Sequence, residues 1–201
     1  MANVGYRHAP EFPYPMPVED AYNAALWVTS VSAKVSNVQV FDHIKEIGGD
    51  PDLVYTAGNS AGANLATVVT RRLRDSKRKE RIAAEVLRVP VVCHPSVFPP
   101  PLGQPDSSYS FYHDAPILST KVMDDFWYFY NPGDKASDLD CSPLLATEFK
   151  DFPPTYVSVA GCDPLRDQGW AYAKKLEEAG VTLKFDVMGG YPHGILLHDL
   201  G

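Results

Sequence analysis

The segment Gly58-Asn59-Ser60-Ala61-Gly62 sets one serine between two glycines. A β-favouring apolar run, 53–57, leads in, and a run with helical periodicity, 62–74, leads out. A serine hydroxyl is a weak nucleophile at neutral pH. It needs a general base, and the base needs a carboxylate to orient it. The pattern G-x-S-x-G supplies such a serine where a strand turns sharply into a helix. Crowding at so tight a turn is expected to exclude side chains two residues to either side, which explains both glycines. The same placement puts Ser60 at a helix N-terminus. There the Ala61 N–H and the helix dipole face a developing negative charge.

In elbows of this kind the acid and then the base follow the serine along the chain. Asp163 comes directly after the strand-like run TYVSVAGC, and His193 directly after TLKFDVMGGYP. Both then stand at the C-terminal ends of strands, on the sheet edge that carries Ser60. His94 also follows a strand-like run, but it precedes the acid. His8, His43 and His113 fall in loops or at a helix start, and His198 lies further past the strand end. Ser60, Asp163 and His193 are therefore the candidate nucleophile, acid and base, with the Ala61 N–H as the candidate oxyanion donor.

Elements that position these groups are legible in the hydrophobic pattern. From Val18 the apolar residues recur at helical spacing, with Glu19 and Asp20 in the first turn, which predicts a helix reaching about residue 33. The run 2–7 reads as the tail of a strand, and the proline-rich stretch after it as a rigid connection. FDHIKEIGGDP reads as a short turn or helix closed by two glycines. IAAEVLRVPVVCH holds a strand centred on LRVPVVC. KVMDDFWYFY reads as an aromatic helix, DQGWAYAKKLEEAG as an amphipathic helix ending at Gly180, and TLKFDVM as a strand. Strands alternating with helices predict an α/β fold with a mostly parallel sheet in one domain, 1–201. Residues of about 96–130, rich in Pro, Ser and aromatics, interrupt the alternation and read as an insertion that covers something.

Composition excludes several classes. Of 201 residues, 45% are hydrophobic and 21% charged, enough for a packed core. A net charge of −7 and a pI near 5.3 argue against general nucleic-acid binding. No apolar run nears the roughly 18 residues of a membrane span. The N-terminus lacks a signal-peptide layout. Cys93, Cys141 and Cys162 are widely spaced and odd in number, so neither a disulfide framework nor a zinc site is expected. A reducing, cytoplasmic setting is the default. The run RRLRDSKRKER, interrupted by Asp75 and Glu80, reads as a solvated helix end. No glycine-rich phosphate loop follows a strand and the histidines do not cluster, so neither a cofactor nor a metal is expected.

Several blocks, in order, resemble the hormone-sensitive-lipase-like branch of the α/β-hydrolases: YRHAPEFPYPMPVEDAYNAALWV, AGNSAGANLA, SPLLA, AGCDPLRDQGWAYAKKLEEAGV and GGYPHG. They cover most of the chain. The resemblance implies a carboxylesterase-type fold acting on a small ester or acyl substrate through an acyl-enzyme, with Ser60 as nucleophile, Asp163 as acid and His193 as base. It also implies that residues around 96–130 form part of a cap over the acyl pocket. Phe111, Tyr112, Phe126, Trp127 and Tyr130 are candidates to line an apolar acyl or alcohol pocket, with plain packing an equal alternative for most of them. Asp167, the second Asp of DPLRD, reads as a helix-start residue. The chain departs from the family's pattern at Asn59, where Asp is common, and at Ala63, where Gly is common. The family's first strands and HGGG-type oxyanion motif have no counterpart here, and the sequence ends eight residues after His193. An open sheet edge is therefore expected, covered by a second subunit or a rearranged terminus, or else the chain is a fragment of a longer enzyme. Two alternatives stay open: a weak or silent ligand-binding homologue, and acyl-transfer or lactone chemistry on the same residues.

Overall fold

The computed structural model describes residues 1–29, 43–50, 53–76 and 82–194. Helices Met16–Thr29 (α1) and His43–Glu46 (α2) precede strand Val54–Asn59 (β1) and helix Ala61–Asp75 (α3). Strand Ile82–Arg88 (β2) is followed by helices Ser108–Phe111 (α4) and Thr120–Tyr130 (α5). Strand Thr155–Cys162 (β3), helix Arg166–Glu178 (α6) and strand Leu183–Pro192 (β4) complete the order. The four strands lie side by side as β1-β2-β3-β4, and every pair is parallel. Parallel neighbours need crossover connections. α3 makes the first, the segment with α4 and α5 the second, and α6 the third.

One face of the sheet holds the main core. Leu87, Val157 and Val159 pack there with Ala63 and Ala66 of α3 and with Tyr172, Ala173 and Leu176 of α6. Positions of opposite parity, such as Tyr55, Ala57 and Lys184, are exposed, as the two-residue strand period requires. A second core cluster forms where Met123 and Trp127 of α5 meet Val91, Cys141 and Leu165. Helix ends follow local chemistry. The Ser119 hydroxyl accepts the Val122 N–H at the start of α5, and Asn131 takes a left-handed conformation at its end. Gly180, at φ 78°, terminates α6.

Two expected strands differ. Residues 2–7 form no regular element. The Arg7 N–H is given instead to the Asp20 carboxylate of α1 at 3.0 Å, and its guanidinium to both oxygens of that carboxylate at 2.8 and 2.7 Å. The strand centred on 87–93 lies earlier and ends at Arg88. Val89 sits at φ 41°, and Pro90 has no N–H to continue a ladder. The Val92 and Cys93 N–H groups are taken by the buried Gln168 Oε1 of α6 at 2.7 and 3.1 Å. α1 starts two residues before the expected position. Its predicted reach toward residue 33, the basic run past Ser76 and His198 lie outside the described residues. Among the described residues no helix is long and apolar enough to cross a membrane.

Candidate active site

β1 ends at Asn59 and α3 begins at Ala61, so Ser60 alone makes the turn. Its backbone stands at φ 54° and ψ −118°, a region that costs a non-glycine residue on the order of 1–3 kcal/mol. The turn is held from both sides. Ser60 N–H donates to the Arg88 carbonyl of β2 at 2.9 Å, and the Ser60 carbonyl accepts from Ala63 and Asn64. The Asn64 side chain donates to the Val91 and Cys141 carbonyls at 2.9 and 3.1 Å, pinning the first turn of α3 to the strand-end loops. A Cβ at Gly58 would lie 2.1 Å from the Gly62 carbonyl oxygen, so glycine is obligatory there. A Cβ at Gly62 would meet nothing within 4 Å. The steric reason expected for both glycines thus holds only at Gly58.

Strand register brings the other two residues together. Cys162 pairs with Pro192 at the ends of β3 and β4, so the next residues, Asp163 and His193, emerge side by side. Asp163 is fully buried and His193 is 8% exposed. His193 Nδ1 lies 2.7 Å from Asp163 Oδ2, and His193 Nε2 lies 3.0 Å from Ser60 Oγ. The second Asp163 oxygen accepts the Leu165 N–H at 2.9 Å, which fixes the carboxylate's orientation. An imidazole bridged this way can take the serine proton on Nε2 while the carboxylate stabilises the resulting cation. The Ala61 N–H opens α3, where no intrahelical acceptor exists, so it remains available to an oxyanion.

Beside Ser60 lies a pocket of about 260 Å³. Its wall includes Met123, Phe126, Trp127 and Tyr130 of α5, together with Val91 and Leu65. Of the five aromatics expected there, Phe111 and Tyr112 are elsewhere. Phe111 is 68% exposed, and the Tyr112 ring lies under the Arg166 guanidinium, 5.4 Å away. Tyr6 and His8 also line the pocket and carry no sequence signal for it, because Tyr6 falls within the expected strand tail, His8 directly follows it, and neither has a spacing signal of its own. His94 is turned away onto the Trp127 ring at 4.7 Å, and burial lowers its pKa. Asp167, read as a helix-start residue, lies in the first turn of α6.

A family model described as the alpha/beta hydrolase fold matches residues 1–197. The chain belongs to the alpha/beta hydrolase family. Versiconal hemiacetal acetate esterase of Dothistroma septosporum is 33% identical to it, over 96% of this chain and 56% of that protein. Carboxylesterase NlhH of Mycobacterium tuberculosis is 32% identical over 96% and 56%. The crystal structure of EstE1, a thermostable carboxylesterase from a metagenomic library, superposes at a TM-score of 0.79 with 36% identity, over 95% of this chain and 59% of that one. The chain spans about half the length of the relatives it matches.

Proposed function

We propose that this alpha/beta hydrolase cleaves small carboxylic esters through an acyl-enzyme. Ser60 attacks the ester carbonyl, and His193 takes its proton and passes it to the leaving alcohol. Asp163 holds the imidazole and stabilises its charged form, and the Ala61 N–H stabilises the oxyanion. Water then attacks the acyl-enzyme with His193 again as base. The observation that carries this reading is the continuous contact Asp163–His193–Ser60 at 2.7 and 3.0 Å. The esterase names of its relatives support the substrate class. The 260 Å³ pocket is smaller than the ~300–1,000 Å³ of drug-sized sites and has no Asp, Glu, Lys or Arg in its wall. A small, uncharged acyl or alcohol group fits it. We assign the 96–130 segment, within a single domain, as the cap that supplies this wall, and a second copy of the chain as the cover of the β1 edge. A fluorophosphonate probe is expected to label the wild type and not Ser60→Ala, with loss of p-nitrophenyl butyrate hydrolysis in parallel. Folded wild-type protein that the probe leaves unlabelled overturns the reading.

A second reading is favoured by one neighbour. Vibralactone cyclase superposes at a TM-score of 0.83 with 28% identity, over 94% of this chain and 52% of that one. The same three residues can return an acyl group to an internal hydroxyl instead of water. Product analysis on hydroxy-ester substrates separates the two, since only the second yields a lactone.

A further inference from the structure

Ser108 opens the four-residue helix α4 and is fully buried. Its Oγ–H donates to the Pro164 carbonyl at 3.0 Å, and its Oγ accepts the Asp167 N–H at 3.0 Å. Its own N–H donates to Asp167 Oδ2 at 2.6 Å. Three hydrogen bonds therefore join the 96–130 segment to the turn that carries Asp163. Capping of α4 does not require them, because Ser107 is the cap and its hydroxyl accepts the Ser110 N–H.

Arg166 holds the same turn from its other side. Its N–H donates to the Asp163 carbonyl at 3.1 Å, and Nη1 to the Gly161 carbonyl at 3.2 Å. Nε donates to Asp167 Oδ1 at 2.8 Å, and the Tyr112 hydroxyl accepts from Nη1 at 3.4 Å. Carbonyls before, at and after the Asp163 side chain are thus all held by these residues. The aim of the carboxylate at His193 follows from that backbone, since one of its oxygens is bound to Leu165 N–H within the same turn.

We infer that Ser108 and Asp167 latch the 96–130 segment onto the Asp163 turn, making both of them positioning residues for the ester hydrolysis proposed above, on which this inference rests. Without the Ser108 hydroxyl, the Pro164 carbonyl and the Asp167 N–H lose buried partners, and the turn relaxes to find others. Asp163 then moves off His193. The pocket wall on α5 keeps Val91 and Cys141 as supports besides Leu165 of that turn, so the loss falls mainly on kcat rather than on KM.

The test compares the wild type with Ser108→Ala, Asp167→Asn and Ser119→Ala, the last of which removes the cap of α5 within the same segment. Two readouts are taken: kcat and KM on p-nitrophenyl butyrate, and the downfield proton resonance of the His193–Asp163 hydrogen bond, which needs no substrate. Ser108→Ala is expected to lower kcat about tenfold with KM within about twofold, and to broaden the downfield resonance. Asp167→Asn is expected to do the same to a smaller degree, and Ser119→Ala to leave both readouts near wild type. Wild-type kcat and resonance in Ser108→Ala overturn the latch. So does an equal loss in Ser119→Ala, which would mean general loosening of the segment. Absence of turnover in the wild type overturns the hydrolase reading instead, and the resonance alone then decides the latch.

Discussion

At Ser60 the backbone and the side chain are set by different parts of the chain. The turn itself is local, and its tightness was legible in the glycine spacing. The structure divides that spacing into two unequal halves, because only Gly58 touches the backbone across the turn. Gly58→Ala is expected to prevent stable folding or to displace the elbow, since a 2.1 Å contact with backbone has no flexible side chain to yield. Gly62→Ala is expected to be neutral or stabilising by up to about 1 kcal/mol, because it adds a better helix former in open space. Thermal unfolding of the two variants checks the contrast, and equal destabilisation would contradict it. Asp163→Asn tests the proposed acid separately. It keeps the shape but favours the wrong imidazole tautomer, and a loss in kcat on the order of 10⁴-fold is expected by steady-state kinetics with the melting temperature nearly unchanged. The orientation of Asp163 by Ser108 and Asp167 had no sequence signal, because the two residues are 59 positions apart and both types are common on surfaces.

Among the elements, β2 carries a group that the proposed chemistry does not use. Glu85 is fully buried where β2 packs against α3 and β3, facing Thr67, Thr70 and Thr155. Thr155 reaches its Oε2 at 3.5 Å, and its Oε1 has no hydrogen-bond partner among the described residues. Burial raises its pKa from 4.5 to about 7. The unfolded chain releases this proton near pH 4.5, whereas the folded chain keeps it until about pH 7. Stability from this group is therefore greatest below pH 4.5, falls across the interval, and levels off above pH 7. A shift of that size corresponds to a fall of about 3 kcal/mol. Glu85→Gln is expected to flatten this slope and to raise stability at pH 8 by a similar amount, measured by urea unfolding across the pH range. A slope that survives the substitution would place its origin elsewhere. Elements also explain which aromatics the sequence could sort. Met123, Trp127 and Tyr130 recur at i, i+4 and i+7, one face of α5, and all three reach the pocket. Phe111 and Tyr112 stand at the end of α4, whose single turn gives no periodicity to read, and they point elsewhere.

For the whole molecule, the alternation of apolar strand runs with amphipathic helices was enough to give a parallel α/β sheet, because each element's period is written in its own residues. What pairwise context decides was not legible. Residues 2–7 look like a strand by composition, but the Arg7 N–H goes to Asp20, and no neighbouring strand is present there among the described residues. For the same reason β1 is an edge in the described structure, with Leu53 and Tyr55 55% and 57% exposed and Val4 and Ile47 exposed nearby. A cleft of about 760 Å³ runs along it, between α1, the first residues and β1. An edge flanked by apolar surface is a template for association unless charge or cover blocks it, and none of these four residues is charged. The proposed cover by a second copy predicts a species of twice the 22.1 kDa chain mass in sedimentation equilibrium at micromolar concentration. Tyr55→Lys places a charge on that surface without touching Ser60, His193 or Asp163, and is expected to shift the mass to that of one chain. A wild type that sediments as a single chain at every concentration removes the second copy from the edge of β1.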